Sequence, residues 1–245
     1  MMNFLYANSM QLAGVLLGLI TLGFVGWART LPIACRRYGY AATVAAGAMA
    51  VVYLGTAPIQ QALGIGEDPI RFLGYTAMWI PIVLVIGSIA GTGKRLTLGL
   101  LGVVLARVWV TYFAGFLDGA AMTAATLVPF VLLVVGIVLL YGPFAQTAAV
   151  QSPERSLLYN KLKHLIALAW IGLVANGLIV AFQLVDEFVG LIVLLYVEVV
   201  LVVGFGALVL RNVEALEDAS RTGLLSFGTD TTDSFDPVEN REPGD

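Results

Sequence analysis

Two charged side chains stand inside otherwise apolar stretches and are the first candidates for chemistry. Glu198 falls near the middle of the stretch 188–211, and Arg107 falls near the middle of the stretch 95–117. A charge at the centre of a bilayer costs about 3 kcal/mol even on insertion-based scales, so each side chain is expected to face the protein interior or a partner. One interpretation is that the two form a buried pair or a polar anchor for a ligand.

The alternative interpretation gives neither charge a function. Arg107 then extends its charged end towards the membrane surface or meets a neighbouring protomer. Glu198 is then protonated and hydrogen-bonded to a residue such as Tyr196 or Thr76. The residue types alone leave both interpretations open.

Few other residues have the types and spacing that catalysis needs. The single cysteine, Cys35, rules out an internal disulfide and a cysteine metal cluster. The single histidine, His164, lies beside two lysines at the start of an apolar stretch, where a solvated or interfacial role is expected rather than that of a ligand. Glu198 is the only acid well inside such a stretch, so acid–base chemistry by paired carboxylates is not expected. The sequence therefore predicts a protein that is not an enzyme and holds no metal.

The composition makes lipid the solvent for most of the chain. Of the 245 residues, 59% are apolar and 12% are charged, whereas roughly a quarter of the residues in a soluble domain are charged. The charges are also segregated, since residues 212–245 carry nine acids and two bases, and residues 1–211 carry seven acids and eleven bases. We expect a membrane domain over 1–211 and an acidic, disordered tail over 212–245.

Seven stretches are long and apolar enough to cross a bilayer, which takes about 20 residues as a helix. They cover approximately 8–30, 38–58, 71–92, 95–117, 121–142, 157–182 and 188–211. The apolar runs are continuous rather than alternating, and in lipid a helix satisfies its own backbone groups. The predicted fold class is an all-α membrane protein, a seven-transmembrane-helix bundle.

The connections between these stretches indicate an orientation in the membrane. If the first connection is cytoplasmic, one base, Arg71, lies outside and nine lie inside. The nine are Arg29, Arg36, Arg37, Lys94, Arg95, Arg155, Lys161, Lys163 and Arg211. Such a bias is typical of cytoplasmic connections. We expect a multi-pass protein of the cell membrane with its N-terminus outside and its C-terminus in the cytoplasm.

The last apolar stretch ends in a run that resembles a known family. The run is Val203-Gly204-Phe205-Gly206-Ala207-Leu208-Val209-Leu210-Arg211. It is similar to the end of the seventh helix of haloarchaeal microbial rhodopsins, the bacteriorhodopsin family. Glu198 then falls where that family places an aspartate of the retinal counterion complex. The resemblance covers residues 1–211 in the order and length of the spans, and it implies a bundle of the microbial-rhodopsin type.

Two tryptophans extend the resemblance to the retinal pocket. Trp79, shortly after Asp68-Pro69-Ile70, and Trp170, seven residues after Lys163, are similar to the two tryptophans that pack on retinal in the family. The segment from Gly142 to Lys163 resembles the family's loop between its fifth and sixth helices.

The chain departs from the family where the pigment forms. The family joins retinal to a lysine four residues after the helix-seven acid, and here that position is Val202. The chain has three lysines, Lys94, Lys161 and Lys163, and all are expected at the cytoplasmic ends of helices. Valine has no nucleophilic nitrogen, so the resemblance implies a divergent member that forms no Schiff base.

The residues that move protons in the family are also replaced. The position of its proton acceptor holds Met78, and the position of its cytoplasmic proton donor holds Ile89. The family's arginine one turn before the tryptophan corresponds to Tyr75, with Arg71 one turn further out. The retinal-pocket equivalents in this chain are therefore Trp79, Trp170, Met78, Val202 and Glu198.

Three functions remain in view. The first is a light-independent opsin homologue with a regulatory or structural role exerted through partners. The second is a protein that binds retinal or a carotenoid without a covalent bond, with Trp79 and Trp170 as walls and Arg107 or Glu198 as the polar contact. The third is a light-driven ion transporter or photosensor, which fold analogy alone suggests and the missing lysine argues against.

The expected partners are the lipid bilayer and other membrane proteins, and nothing in the sequence indicates nucleic-acid binding. The resemblance implies a homo-oligomer, a trimer. No covalent cofactor is expected, and retinal or a carotenoid is the non-covalent candidate.

Overall fold

The computed structural model describes residues 2–64 and 66–222, and within these ranges the regular structure is helical, with no strand. The helices are α1 (Met2–Thr30), α2 (Arg36–Leu63), α3 (Glu67–Ala90), α4 (Lys94–Ala114), α5 (Gly119–Tyr141), α6 (Pro143–Ala149), α7 (Pro153–Ala181), α8 (Glu187–Arg211) and α9 (Val213–Thr222). A single 3-10 turn, Ile33–Cys35, joins α1 to α2.

Seven helical segments of the described chain are long and apolar enough to cross a membrane. They are α1, α2 with the preceding turn, α3, α4, α5 continued by α6, α7 and α8. The predicted seven-helix membrane fold is therefore confirmed. Its physical cause is that each long apolar run must satisfy its backbone hydrogen bonds internally when lipid surrounds it.

Local residue types fix several helix ends that bear on the site. Ser152 accepts a hydrogen bond from the backbone N–H of Arg155 at 3.5 Å, and Pro153 occupies the first turn of α7. The side chain of Asp186 accepts from the N–H of Val189 at 2.7 Å and so caps the N-terminus of α8. Gly91 ends α3 with φ of +72°, a left-handed conformation that glycine adopts without steric cost.

The core of the bundle lies where α2, α3, α7 and α8 meet. Helix α3 is the most buried of the spans and the α5–α6 segment is the least buried. Gly14 on α1 shows how closely two of the helices approach, since a Cβ there would lie 3.0 Å from the Cβ of Tyr53 on α2. The central helices can therefore bring side chains from distant parts of the sequence into contact.

The segment from Gly142 to Lys163, predicted as a loop between two spans, is mostly helical. Helix α6 begins at Pro143 and α7 begins at Pro153, so only residues 150–152 separate them. Lys163 was expected at the cytoplasmic end of a helix, and its side chain is buried within α7. Its Nζ donates to Oδ1 of Asn160 at 2.9 Å and lies 4.5 Å from the ring centroid of Tyr141. His164 is exposed, as expected.

The predicted disordered tail begins with a packed helix instead. Helix α9 buries Ala215, Leu216 and Ala219 against the bundle. Oδ2 of Asp218 accepts from the hydroxyl of Ser152 at 2.8 Å and lies 3.6 Å from a guanidinium nitrogen of Arg155. The prediction of disorder rested on the number of acids and overlooked that the few apolar residues recur at helical spacing. Residues 223–245 of the predicted tail lie outside the described residues.

Candidate functional site

Glu198 is the centre of a hydrogen-bonded cluster that joins three helices. Its side chain, on α8, is 3% exposed. The hydroxyl of Tyr53, on α2, donates to Oε2, and the hydroxyl of Tyr75, on α3, donates to Oε1 at 2.6 Å. Arg71, one turn before Tyr75, donates to that tyrosine's oxygen at 3.2 Å. Both oxygens of the carboxylate therefore have a donor in the protein.

The hydrogen-bond partners suggested for Glu198 from the sequence were wrong. Tyr196 is 68% exposed, because residues two apart lie on different faces of a helix. The hydroxyl of Thr76 donates to the carbonyl of Phe72 at 2.9 Å and accepts from the indole nitrogen of Trp109 at 3.1 Å. Tyr53 was missed entirely. The only signal for it in the sequence is a tyrosine within an apolar span.

Arg107, on α4, has no comparable set of partners. Its Nε is buried and has no hydrogen-bond acceptor in the part of the chain that the structure describes. Within the same residues no carboxylate oxygen lies within 4.0 Å of its guanidinium, so the buried pair with Glu198 is not formed. The group instead lies beside the indole of Trp170, with 6.0 Å between its Cζ and the ring centroid.

Glu198 and Arg107 nevertheless line the same central cavity, which has a volume of about 140 Å³. The other lining residues are Phe72, Tyr75, Met78, Trp79, Val108, Thr111, Leu173, Leu194, Val197 and Leu201. Pockets that enclose a drug-sized ligand have volumes of about 300–1,000 Å³. The central cavity is thus sized for a few waters or a small polar group, rather than for a polyene.

The two tryptophans contact each other. The ring centroids of Trp79 and Trp170 are 5.7 Å apart, the ring planes are inclined at 47°, and both side chains are buried. Aromatic rings in direct contact have centroids about 4.5–7 Å apart. A flat molecule between two ring faces needs about 3.5 Å on each side. The tryptophans therefore pack as one core pair and do not form the two walls of an open slot.

Val202 and Met78, the other two residues that the resemblance places in a retinal pocket, are apolar and buried. Val202 is fully buried, and Met78, which lines the central cavity, is 2% exposed. Lys94 and Lys161 are exposed, and the ammonium of Lys163 is held by Asn160. No lysine is among the residues that line the central cavity.

A larger groove of about 510 Å³ opens beside the central cavity, between α4, α5 and α7. The two spaces share Arg107, Thr111 and Leu173 as lining residues, so Arg107 stands at the boundary between them. Most of the groove surface is apolar. The sequence did not predict the groove, although small residues such as Gly177 contribute to it.

Solved structures with the same fold are microbial rhodopsins. The thermophilic rhodopsin from Rubrobacter xylanophilus superposes with a TM-score of 0.78 at 19% identity, over 88% of this chain and 99% of that one. Halorhodopsin, a light-driven chloride pump, gives 0.74 at 19% identity over 88% and 98%. The light-driven proton pump of Coccomyxa subellipsoidea gives 0.71 at 18% identity over 82% and 93%.

No protein-family model matches the sequence, and no curated protein matches it at a significant level. At these identities the structural likeness establishes the fold alone. It confirms the bundle of microbial-rhodopsin type, and the function must be argued from the residues of the site.

Proposed function

We propose that the protein is a light-independent opsin homologue, a multi-pass membrane protein that forms no Schiff base with retinal and acts through other membrane proteins. The observation that carries the proposal is the position of the amines. A Schiff base needs a lysine Nζ within the pocket, and Val202 occupies the position where the resemblance requires one. The nearest candidate along the chain, Lys163, is held by Asn160 and by the ring of Tyr141.

The contact between Trp79 and Trp170 also supports the proposal. With their ring centroids 5.7 Å apart, the tryptophans stabilise the core by packing on each other. Met78 adds an apolar side chain where a pump would need a proton acceptor. Apart from the central cavity of about 140 Å³, these side chains therefore pack as a core.

The test is reconstitution of the purified full chain with all-trans retinal. We expect no visible band that hydroxylamine bleaches, whereas a light-driven pump of the same fold, treated in parallel, gives one. The V202K variant supplies a matched chain with an amine at the required position, and a band that appears in this variant alone supports the assignment. A hydroxylamine-sensitive band in the wild-type protein contradicts the proposal.

Non-covalent binding of retinal or a carotenoid is the second candidate, and the groove of about 510 Å³ favours it. Its volume is in the range of pockets that hold apolar ligands of this size. This function predicts a protein that is coloured on purification and loses its colour quantitatively to organic solvent. Because the tryptophans contact each other, the variants Trp79→Ala and Trp170→Ala report whether the colour depends on the core pair or only on the groove.

The orientation and the assembly state are part of the proposal. The distribution of the bases supports an outside N-terminus and a cytoplasmic C-terminus in the cell membrane. The resemblance supports a homo-oligomer, a trimer. Protease protection of a tag placed at each terminus in sealed vesicles tests the first, and the mass of the detergent-solubilised particle tests the second.

A further inference from the structure

We propose that the groove between α4, α5 and α7 binds a single-chain lipid with a carboxylate head, and that Arg107 receives that carboxylate. Nothing in the rhodopsin-like architecture requires such a ligand. The inference goes beyond the proposed function, since a light-independent opsin homologue can exist with or without it.

The first step in the argument is the need for an anion at Arg107. The guanidinium stays charged at every accessible pH and presents five donors in a planar fork. Its Nε is buried without an acceptor in the described residues. Charged groups at this depth in a membrane are usually paired or hydrogen-bonded. Arg107 instead lines the central cavity and the groove, and its guanidinium lies beside the ring of Trp170.

The second step is that the nearest buried acid does not supply that anion. Glu198 lines the same cavity, but its two oxygens accept from Tyr53 and Tyr75. The two tyrosines hold its carboxyl oxygens on the α2–α3 side of the cavity. An acceptor for the Nε of Arg107 must therefore come from outside the residues that the structure describes.

The third step is the shape of the space at Arg107. The groove offers about 510 Å³ next to the guanidinium, and its surface is mostly apolar. Gly177 leaves part of this surface open, since a Cβ built there meets no atom within 4 Å. The groove therefore has one charged lining residue and an otherwise mostly apolar surface. A ligand with a charged head at Arg107 and an apolar chain along α4, α5 and α7 matches this arrangement.

The fourth step identifies the head group. Arg107 lies seven residues before the end of α4 at Ala114, about 10 Å along the helix axis. A carboxylate is small enough for this depth, loses its charge on protonation during entry, and fits the guanidinium fork with two hydrogen bonds. A diacyl phospholipid brings a bulkier head and a second chain. Retinal and carotenoids bring no anion.

The experiment measures binding of cis-parinaric acid, a fluorescent long-chain carboxylic acid, to the delipidated full chain in an uncharged detergent. We expect saturable binding that palmitic acid reverses. Methyl palmitate, the same chain without the charge, should need a concentration about tenfold higher or more, because a charge-assisted hydrogen bond is lost. Phosphatidylglycerol tests the phospholipid as the source, and all-trans retinal tests the neutral polyene.

Two variants and two matched controls locate the site. R107Q is expected to weaken binding about tenfold or more, while R95Q, an exposed position on the same helix, leaves it unchanged. Gly177→Phe fills the groove and should abolish binding. Gly102→Phe has equally open space at its Cβ but lies outside the groove lining, and it should have no effect. Unfolding temperatures identify any variant that is misfolded.

Equal competition by methyl palmitate and palmitic acid overturns the proposal, as does full binding by R107Q or Gly177→Phe. Stronger competition by phosphatidylglycerol or by retinal than by palmitic acid overturns the choice of a single-chain carboxylate. The proposed function fails through a different result, a hydroxylamine-sensitive band with retinal in the wild-type protein. The two failures are therefore distinguishable.

Discussion

Arg155 and Arg107 lie in the same bundle, and the protein surrounds them differently. Arg155, 1% exposed, donates from Nε to the carbonyl of Ile89 at 3.1 Å and from an Nη to the carbonyl of Ser88 at 3.0 Å. A third nitrogen lies 3.6 Å from Asp218. Arg107 has a buried Nε with no acceptor in the described residues, and it lines both the central cavity and the groove.

This difference indicates that Arg155 has a structural role, whereas Arg107 is a candidate ligand-binding residue. The carbonyl of Ile89 lies in the last turn of α3, where carbonyls have no partner four residues on. The carbonyl of Ser88 accepts from the N–H of Gly91 at 3.2 Å and uses its second lone pair for Arg155. Arg155 therefore joins α3, α7 and α9 through acceptors fixed by the fold. Arg107 lies in the middle of a span, where backbone acceptors are already used. Its hydrogen bonds must therefore be completed by another side chain, by a ligand or by water in the adjoining cavity.

Replacing Arg155 should have the largest effect on stability. The variant Arg155→Met leaves the carbonyl of Ile89 without a donor and removes the guanidinium from the carbonyl of Ser88 and from Asp218. We expect the free energy of unfolding to fall by about 3 kcal/mol. Denaturant unfolding in detergent measures the change. Arg95→Met, at an exposed position, is the control and should change the free energy by less than about 0.5 kcal/mol. A loss below about 1 kcal/mol for Arg155→Met would show that its contacts are not structural.

The cluster around Glu198 should show an intermediate effect. Tyr75→Phe removes the donor to Oε1 and leaves that oxygen buried without a partner, so we expect a loss of about 1–2 kcal/mol in the free energy of unfolding. Tyr196→Phe serves as the matched control, because that hydroxyl belongs to an exposed side chain and its loss should be neutral. If both variants unfold alike, Tyr75 is not a partner of Glu198.

Arg107 should contribute least to the stability of the ligand-free protein. Arg107→Met keeps a long side chain and removes an unpaired charge, and we expect a change of about 1 kcal/mol or less, in the stabilising direction. Palmitic acid should raise the unfolding temperature of the wild-type protein and leave that of Arg107→Met unchanged. A destabilisation of more than about 2 kcal/mol would indicate that the protein itself holds the guanidinium.

The sequence by itself determined the seven spans. A bilayer imposes a minimum length on each apolar run and requires that its backbone be satisfied internally, so hydropathy along the chain is enough to predict the spans. It also identified Glu198 and Arg107 as costly charges, because their depth follows from their place in a span. The charge count was a weaker guide, since it concealed the apolar face of α9. The resemblance to a loop likewise did not indicate that residues 143–149 are helical.

Only the tertiary structure decided which side chains meet. Tyr53 and Glu198 are 145 residues apart in the chain, and their contact depends on the rotation and tilt of α2 and α8. The same applies to the contact of Trp79 with Trp170 and to the space that separates Arg107 from an acid. Helix rotation is set by the packing of many side chains at once, with small residues controlling how closely helices approach. No single stretch of the sequence contains that information.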